Sequence, residues 1–484
     1  MTTFLIGLAI LLVAGWGYGK YCQHVFGPDD RKTPAVTKED GVDYVPMPKW
    51  KNSLIQLLNI AGTGPILGPI QGILFGPIAF ILIPLGCVFG GALHDYFAGM
   101  ISMREGGEQM PGLVRKYLGK GVFAFYNIFL CLLLLLVVAV FVTTPGDLVV
   151  TQLLNKQAIV SNPLVWVVYG LIFAYYLIAA IFPIDKIIGR VYPIFGIILL
   201  LSAVGVFIGL FVKGYPLTNL SLDNWKGIYP DGTPILPVFF VTVACGIVSG
   251  FHSTQSTMIG RSVRHEKEGR TTFFNMMLLE GFIAMIWAAA AMGAYTLFAD
   301  KIAEESIGAT GMIGLIAKDM LGSVGGIIAI IGVIVLPIST GDTALRSLRL
   351  IIGDFFKIDQ TKKRNRFGLS GILCVIILAL LLFSKLNAEG FNILWRYFAW
   401  SNQTIAIFAF ALITVYLYKA KKPWWISLIP GMFYAFIVST YIFNAKIGFN
   451  IPMTIAYVLG VIFAGVYGGL ILFGAKKSKL QIPE

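Results

Sequence analysis

Long apolar runs recur along the whole chain, separated by short polar or Gly/Pro-rich segments. Runs of about 20 apolar residues match a bilayer-crossing helix, whereas β-barrel strands would give short alternating segments. The pattern predicts an all-α, polytopic membrane protein, with 306–320 as a possible short helix at the surface. About thirteen transmembrane helices are expected, at 3–19, 53–75, 77–103, 120–143, 163–182, 186–212, 236–259, 272–298, 323–345, 366–384, 391–417, 424–444 and 450–474.

Composition supports the membrane assignment. Of the 484 residues, 57% are hydrophobic and 13% are charged, about half the roughly 25% charged residues of a soluble protein. The first run, 3–19, lacks a basic segment before it and a small-residue cleavage site after it, so we expect a retained helix. The five cysteines have neither paired nor zinc-type spacing, which argues against disulfides and a zinc site.

Basic residues fall mainly in alternate loops. Of the 37 Lys and Arg residues, 29 lie in segments 20–51, 104–120, 186–190, 261–270, 346–366, 419–422 and 476–479. By the positive-inside rule these loops are cytoplasmic, which predicts an inner-membrane protein with its N-terminus outside and its C-terminus in the cytoplasm. The net charge of +13 is therefore expected to mark sidedness and to contact anionic lipids, and no nucleic-acid partner is expected.

The stretch NIAGTGPILGPIQG, at 59–72, interrupts an apolar span with glycines, prolines and polar residues. Pro65 cannot donate to the helical ladder, and broken helices at membrane depth are tolerated where they line a cavity. A kinked helix whose glycines admit a close neighbour is the alternative. If the helix is broken, the expected substrate-binding residues here are Asn59, Ala61, Gly62, Thr63, Gly64 and Gln71.

A second interruption, CGIVSGFHSTQS, lies at 245–256. Each interruption opens a group of five spans, and groups with an odd number of spans insert in opposite orientations, as inverted repeats do. Paired broken helices in corresponding positions of two halves indicate the central site of a transporter. The substrate-binding residues expected in this second stretch are Ser249, Gly250, His252, Ser253 and Gln255.

The predicted organisation is a five-plus-five core with additions at both ends. The two five-helix repeats cover 53–212 and 236–417, and two accessory helices follow at 424–474. One transmembrane helix at 1–19 and a cytoplasmic loop at 20–52 precede the core.

A cation site is predicted where the eighth core helix faces the first interruption. Leu336, Ser339 and Thr340 have i, i+3, i+4 spacing, so one carbonyl and two hydroxyls converge on one face. With Ile60 and Thr63 they offer hard oxygen ligands that suit a sodium ion, an arrangement similar to the sodium site of LeuT-type transporters. Hydrogen bonds from Ser339 and Thr340 to their own helix are an equally weighted alternative.

Four motifs resemble the carbon starvation protein A family: SLIQLLNIAGTGPILGPIQG, GGALHDYFAGM, ACGIVSGFHSTQS and WRYFAWSNQ. The resemblance runs from about residue 45 to 417. It implies a LeuT-like core of the amino acid-polyamine-organocation type and uptake of peptides or pyruvate when carbon is scarce. The chain departs from the family in its shorter length and in FAWSNQ, where a glycine-containing FGIANQ-like stretch is usual, so the resemblance does not fix the substrate.

Titratable residues inside spans are costly and mark function by default. His94, Asp95 and Glu280 are the proton-coupling candidates. Neighbours on a helix point about 100° apart, so His94 and Asp95 need not bond each other, and Asp95 has Arg104 as an alternative partner. Asn402 and Gln403 are substrate-binding candidates or, equally, polar links between helices.

No P-loop, HExxH or GxSxG motif occurs, so neither ATP hydrolysis nor an enzymatic activity is expected. The sequence therefore predicts a secondary transporter for a small molecule, with no cofactor and with H⁺ or Na⁺ as the coupling ion. A nutrient sensor that keeps a transporter fold is the alternative, although the longest cytoplasmic loop is short for an output domain.

Overall fold

The computed structural model describes residues 1–41, 44–181, 185–359, 362–387 and 389–478. This part of the chain is helical, with isolated β-bridges but no β-strand. The helices as far as residue 212 are α1 (Thr2–Ala9), α2 (Gly15–Phe26), α3 (Pro34–Thr37), α4 (Lys49–Ile60), α5 (Gly64–Gly72), α6 (Ala79–Gly86), α7 (Leu93–Arg104), α8 (Met110–Leu118), α9 (Lys120–Leu148), α10 (Pro163–Ile181) and α11 (Asp185–Val212).

Short π-helical turns join α1 to α2 and α6 to α7, so each pair forms one continuous span. The remaining helices are α12 (Ile235–Thr242), α13 (Ala244–Ile247), α14 (Gly250–Ile259), α15 (Asn275–Leu297), α16 (Ala299–Glu304), α17 (Ala309–Phe355), α18 (Lys363–Leu386), α19 (Gly390–Lys419), α20 (Trp425–Asn444) and α21 (Met453–Lys477).

Nine helices in the described part of the chain are long and apolar enough to cross a membrane, and the bent pair α4–α5 is a tenth. The other three predicted spans contain the shorter α10, the helix α11 and the series α12 to α14. The all-helical, multi-pass class is therefore confirmed, and thirteen spans stay a prediction. The first span ends at Phe26 instead of residue 19, because the polar residues after Gly19 continue the helix.

Burial separates interior from peripheral helices. In the apolar window of α19, 89% of the residues are buried, compared with 28% in α21. Helix α15 packs against α4, α5 and α6, and α19 packs against α9, α14 and α20. The bundle is therefore built around α15 and α19, while α21 presents an apolar face to its surroundings.

The first predicted interruption is a sharp bend, which we call break 1 (residues 61–63). Helix α4 ends at Ile60, Ala61 leaves the helical region with ψ +62°, and α5 begins at Gly64 at an angle of 48° to α4. Pro65 lies in the first turn of α5, where a helix needs no backbone donor. The prediction of an interrupted span at 59–72 is confirmed.

The second interruption is longer, and we call it break 2 (residues 243–249). Helix α12 ends at Thr242 and α14 begins at Gly250. Between them, the single turn α13 contains Gly246 at φ +95°, a conformation that favours glycine. Val248 and Ser249 are extended, so the backbone of break 2 leaves the helical path over most of its length.

A stripe of glycines on α5 lets break 2 approach closely. A Cβ atom at Gly64 would lie 2.2 Å from the Cβ of Cys245, and one at Gly72 would lie 2.2 Å from Cγ2 of Val243. At Gly68 the carbonyl oxygen of Thr242 is 3.0 Å from the Cβ position. Close packing therefore accounts for these three glycines, as the alternative interpretation of the sequence proposed.

Helix α17 is interrupted near the predicted surface helix at 306–320. It runs from Ala309 to Phe355, but Gly322 has φ +71° and ψ 178° and divides it into two parts. A helical segment thus precedes the predicted span at 323–345, and Gly322 supplies the turn between them.

The chain before the core folds over one end of the bundle. We call this end the basic face, and it comprises segments 27–41, 44–48, 105–109 and 260–269. The Thr33 hydroxyl donates to Val263 O at 2.6 Å, and Asn52 Nδ2 donates to Ser262 O at 2.9 Å. The segment predicted as a cytoplasmic loop, 20–52, is thus hydrogen-bonded to the loop that follows α14.

Candidate functional site

The two breaks enclose a small central cavity of about 10 Å³. A cavity of this size holds about one water molecule, so this conformation is closed around the site. The cavity is lined by Asn59, Ile60, Gly62, Gly64, Val137, Phe141, Cys245, Ser249, Phe251, His252, Thr340, Phe398 and Asn402.

Break 1 contributes part of its predicted set to this cavity. Asn59, Gly62 and Gly64 line the cavity, whereas Ala61 and Thr63 are buried beside it. The Thr63 hydroxyl has no hydrogen-bond partner within the described residues. Gln71 lies two turns further along α5 and donates back to Leu67 O at 3.4 Å, so it is not brought to the cavity.

Of the residues predicted at the second interruption, Ser249 in break 2 and His252 in α14 line the cavity. Ser253 donates to Gly250 O at 2.6 Å, and Gln255 Nε2 donates to the Thr254 hydroxyl at 3.2 Å, so both side chains bond within α14. Gly250 lies against the backbone of α19, where a Cβ would be 2.4 Å from Asn402 O. These three residues are absent from the cavity lining.

The two amides of α19 have different roles. Asn402 lines the cavity, and its Oδ1 accepts hydrogen bonds from the Ser249 hydroxyl at 3.0 Å and the Phe251 backbone N–H at 2.8 Å. Gln403 Nε2 donates to Phe240 O at 2.6 Å, away from the cavity. Asn402 therefore meets break 2, and Gln403 links α19 to α12.

Four titratable side chains, His94, Asp95, His252 and Glu280, meet beside the cavity, and we call them the buried quartet. Each is at most 1% exposed. Asp95 contacts both imidazoles, with Oδ1 2.8 Å from His94 Nδ1 and Oδ2 3.1 Å from His252 Nδ1. Glu280 Oε2 is 3.6 Å from His252 Nδ1. Two of the three proton-coupling candidates, Asp95 and Glu280, thus lie against His252, which was predicted as a substrate ligand. His94 joins them through Asp95.

The quartet has few other polar partners. The imidazole nitrogen His252 Nε2 and both Glu280 carboxylate oxygens lack a hydrogen bond of normal geometry to described residues, although the backbones of Ile60 and Gly246, respectively, lie near them. Arg104, the alternative partner of Asp95, bonds Glu266 instead. His94 and Asp95, which the sequence did not require to bond, do contact each other at 2.8 Å.

The predicted cation site is only partly described. Ile60 and Thr340 both line the cavity, so α17 faces break 1 as expected. The side chains of Leu336 and Ser339 lie outside the described residues. No group of three or more His, Cys, Asp or Glu side chains in the described part of the chain has an arrangement that could hold a metal ion.

A larger vestibule of about 1080 Å³ opens at the end of the bundle opposite the basic face. It is lined by loops after α9 and α15 and by the start of α19. At its edge Asp147 forms a buried ion pair with Lys385, whose Nζ is 2.7 Å from Oδ2, and Tyr169 donates to Asp147 Oδ1 at 2.6 Å. This pair was not predicted, although an aspartate shortly after a long apolar run is a signal for it.

Aromatic side chains separate the vestibule from the cavity. Phe391 lines the vestibule, and Trp395 and Phe398 follow it along α19 with successive ring centroids 6.4 and 5.4 Å apart. Phe398 also lies 6.2 Å from Phe141 of α9, and these two rings line the cavity. Apolar helices give no sequence signal for such a barrier.

At the basic face the closure is polar. Arg104 donates from Nε and Nη2 to the two Glu266 carboxylate oxygens, both at 3.0 Å, and Glu266 is 1% exposed. The backbone N–H of Asp29 donates to the same carboxylate at 3.1 Å. Hydrogen bonds from Arg31 hold the pKa of Asp29 below its usual range. Three separate chain segments therefore meet at one ion pair.

Three proteins of similar sequence are an uncharacterized membrane protein and two transporters. It is 40% identical over 340 residues to an uncharacterized membrane protein of Haemophilus influenzae, covering 61% of this chain and 91% of that protein. It is 24% identical over 545 residues to the peptide transporter CstA of Escherichia coli K12, covering 87% and 78%. It is 24% identical over 346 residues to the pyruvate/proton symporter BtsT of the same organism, covering 59% and 48%.

The fold is shared with a solved transporter. The manganese transporter of Eremococcus coleocola superposes with a TM-score of 0.59 over 88% of this chain and 93% of that one, at 12% identity. Identity this low supports a common fold alone. The family described as "Carbon starvation protein CstA" matches residues 1–170, 144–311 and 288–441. These matches span most of the sequence, and the chain belongs to the carbon starvation protein CstA family.

Proposed function

We propose that this protein is a proton-coupled secondary transporter that takes up a small carboxylate, either pyruvate or a short peptide, as a carbon source. Its relatives include peptide transporters and a pyruvate/proton symporter. The proposal includes a LeuT-like five-plus-five inverted repeat, whose two broken helices are break 1 and break 2. Substrate then binds in the central cavity between them.

One observation carries the proposal: His252 belongs to both the cavity and the buried quartet. Its ring lines the cavity, and its Nδ1 contacts Asp95. A change of charge in the quartet therefore alters a side chain that faces the substrate. Such a shared group supports coupling, because a proton shifts a conformational equilibrium when it binds one state more tightly.

Glu280 is the proposed carrier of the proton in the closed state. A buried carboxyl group that accepts no hydrogen bond of normal geometry is favoured in its neutral form, because a poorly paired buried charge is costly. Asp95 has two imidazole partners and serves as the charged member. Opening toward water on either side would hydrate Glu280 and let it release or take up the proton.

The cavity suits a carboxylate that is released after binding. Its polar groups are neutral side chains, the His252 imidazole and the N-terminal end of α14, which carries a partial positive charge. No Lys or Arg lines the cavity among the described residues. Binding through dipoles avoids an ion pair between the carboxylate and a Lys or Arg side chain, which would slow the release of the substrate.

Sidedness follows from the charge pattern. The basic face is proposed to be cytoplasmic, so the vestibule opens outward, the N-terminus lies outside and the C-terminus lies inside the cell's inner membrane. Labelling of single introduced cysteines at residues 39 and 305 in intact cells tests this proposal. Reagents that cannot cross the membrane should modify the cysteine at 305 and leave the one at 39 unmodified.

Transport is tested with the purified protein in liposomes. Labelled pyruvate and dialanine are supplied under separate proton and sodium gradients, with empty liposomes as the background. Accumulation driven by the proton gradient supports the proposal. Accumulation driven by sodium alone would assign coupling to the Ile60, Thr63 and Thr340 region, and binding without flux would indicate a sensor.

Glu280→Gln tests the carrier role, because the amide imitates the protonated acid. We expect exchange of substrate between equal pools to persist, while proton-driven accumulation falls at least tenfold. The control is Glu39→Gln, at an exposed position of the basic face, which should keep both activities. Intact accumulation by Glu280→Gln would remove Glu280 from the mechanism.

A further inference from the structure

Helix α19 pairs the free backbone groups on both sides of break 2. Trp395 Nε1 donates to Thr242 O at 3.1 Å, and Gln403 Nε2 donates to Phe240 O at 2.6 Å, so donors meet the last carbonyls of α12. Asn402 Oδ1 accepts from the Phe251 N–H in the first turn of α14. Helix ends leave carbonyls at one end and N–H groups at the other, and α19 supplies the matching partner to each.

Asn402 differs from the other two because two donors converge on one of its atoms. The Ser249 hydroxyl and the Phe251 N–H both point at Oδ1, at 3.0 and 2.8 Å. The residue is 0% exposed, and among the described residues its Nδ2 has a single contact, of 3.5 Å, to Cys245 Sγ. A neutral amide oxygen thus occupies a helix N-terminus that would hold an anion more strongly.

The same place faces the cavity and has a further unused polar atom. Ser249, Phe251, His252 and Asn402 all line the cavity. His252 is 1% exposed, and its Nε2 makes no hydrogen bond of normal geometry to the described residues. A ligand oxygen entering the cavity would therefore meet two convergent donors and a buried imidazole.

We propose that Asn402 Oδ1 is a placeholder for an oxygen of the substrate's carboxylate. This inference rests on the proposed function, and it defines the substrate class as a molecule with a free carboxylate beside a small neutral group. Pyruvate and the C-terminus of a short peptide both present that chemistry. A carboxylate forms shorter and stronger hydrogen bonds than an amide oxygen, so it displaces Asn402 from Ser249 and Phe251.

The exchange also explains how binding moves the protein. In the closed state Asn402 ties α14 to α19. When the substrate accepts the hydrogen bonds of Ser249 and Phe251, these two donors no longer bond Asn402. They then hold a molecule that can dissociate. Occupied break 2 therefore moves relative to α19, and His252, which lies on α14, moves with it.

The proposal predicts that removing the donor and removing the acceptor of the Ser249–Asn402 hydrogen bond have opposite effects on substrate affinity. Equilibrium binding of labelled pyruvate and of dialanine is measured on the purified protein. Asn402→Ala removes the competing oxygen, and binding should tighten at least twofold. Ser249→Ala removes one donor to the carboxylate, and binding should weaken at least threefold. A hydrogen bond that only holds helices together would weaken binding from either end.

Asn402→Asp and Gln403→Glu form a matched pair. Both change an amide to an acid at a fully buried position of α19, and they are adjacent in sequence. The tethered carboxylate of Asn402→Asp should occupy the two donors and weaken binding at least tenfold. Gln403→Glu should lower the melting temperature while the folded protein keeps its affinity within threefold. Equal losses in the two variants would overturn the proposal.

The outcomes separate this inference from the proposed function. Weaker binding by both Asn402→Ala and Ser249→Ala, with proton-driven uptake intact in the wild type, overturns the placeholder alone. Wild-type protein that binds neither pyruvate nor dialanine overturns the placeholder together with the substrate class. Tighter binding by Asn402→Ala with no proton-driven uptake supports the placeholder and overturns the coupling.

Discussion

Break 1 and break 2 interrupt their helices in different ways. Break 1 is three residues long, bends the chain by 48° and is followed by a glycine stripe that packs against its partner. Break 2 contains seven residues, extended backbone and Gly246 at φ +95°. Asn402 bonds break 2 directly, and His252, just inside α14, connects it to the buried quartet.

The difference assigns a role to each break. Break 1 is fixed by close contacts with few adjustable parts. Break 2 is held by hydrogen bonds and titratable groups that respond to ligand and proton. We therefore interpret break 2 as the element that moves and break 1 as the surface against which it moves. The predictions below test this contrast.

The largest effect is expected from Asp95→Asn. This substitution should abolish the response of break 2 to protonation of the buried quartet. The amide no longer carries the charge that faces His94 and His252, so proton-driven uptake should fall at least a hundredfold. The liposome assay measures the loss, and substrate exchange without a gradient shows that the site still forms. Asp342→Asn, at a buried carboxylate outside the quartet, is the control and should keep its response to the proton gradient. If proton-driven uptake by Asp95→Asn stays within tenfold of wild type, break 2 is not the element that responds to the proton.

Gly64→Ala should disrupt the contact between the breaks. The new Cβ would lie 2.2 Å from the Cβ of Cys245, and overpacking of this kind costs about 1–3 kcal/mol. Uptake should fall at least tenfold. Cys245→Gly removes the clashing atoms, so the double variant should recover most of the uptake, measured in the same liposomes. A double variant as inactive as Gly64→Ala would show that the glycine is needed for another reason.

Alanine substitutions at Gly246 in break 2 and Gly62 in break 1 compare how far each break depends on glycine. Gly246 has φ +95°, where an L-residue is strained by roughly 1–2 kcal/mol, and its Cβ would meet Ala284 at 2.9 Å. At Gly62 the nearest atom, Phe141 Cζ, is 3.2 Å away, and φ is not positive. The melting temperature of the purified protein should therefore fall clearly for Gly246→Ala and little for Gly62→Ala. The reverse order would contradict the description of break 2.

The smallest effect is expected from Thr63→Val in break 1. Its buried hydroxyl has no partner in the described part of the chain, so replacing it with a methyl group should leave the melting temperature unchanged or slightly higher. Proton-driven uptake should stay within twofold of wild type. A loss of sodium-stimulated uptake in this variant would instead support the cation site.

The sequence predicted the fold class and both breaks, because glycine, proline and polar residues inside apolar runs have strong local effects. It also selected His94, Asp95, His252 and Glu280, since titratable residues in a membrane span are conspicuous. Their meeting was not predictable. Asp95 and Glu280 are separated by 185 positions, and only the packing of α7, α14 and α15 decides which side chains touch.

Other features gave weak signals or none. Asn402 was identified, but its bond to the start of α14 depends on how α19 crosses break 2. The aromatic barrier of Phe141, Trp395 and Phe398 consists of residue types that fill any apolar helix. Gln71, Ser253 and Gln255 were expected at the site because they are polar, yet each donates a hydrogen bond within its own helix.

The part of the basic face formed by residues 27–41 and 44–48 has a practical consequence for anyone who wishes to build a minimal version of this protein. Deleting everything before α4 would remove no residue of the predicted ten-helix core. It would also strip Asp29, Arg31 and Thr33 from the loop around Glu266, admitting water to a salt bridge that is now sheltered. Such a shortened chain is expected to lose stability at the basic face, so the leading segment belongs in any engineered version.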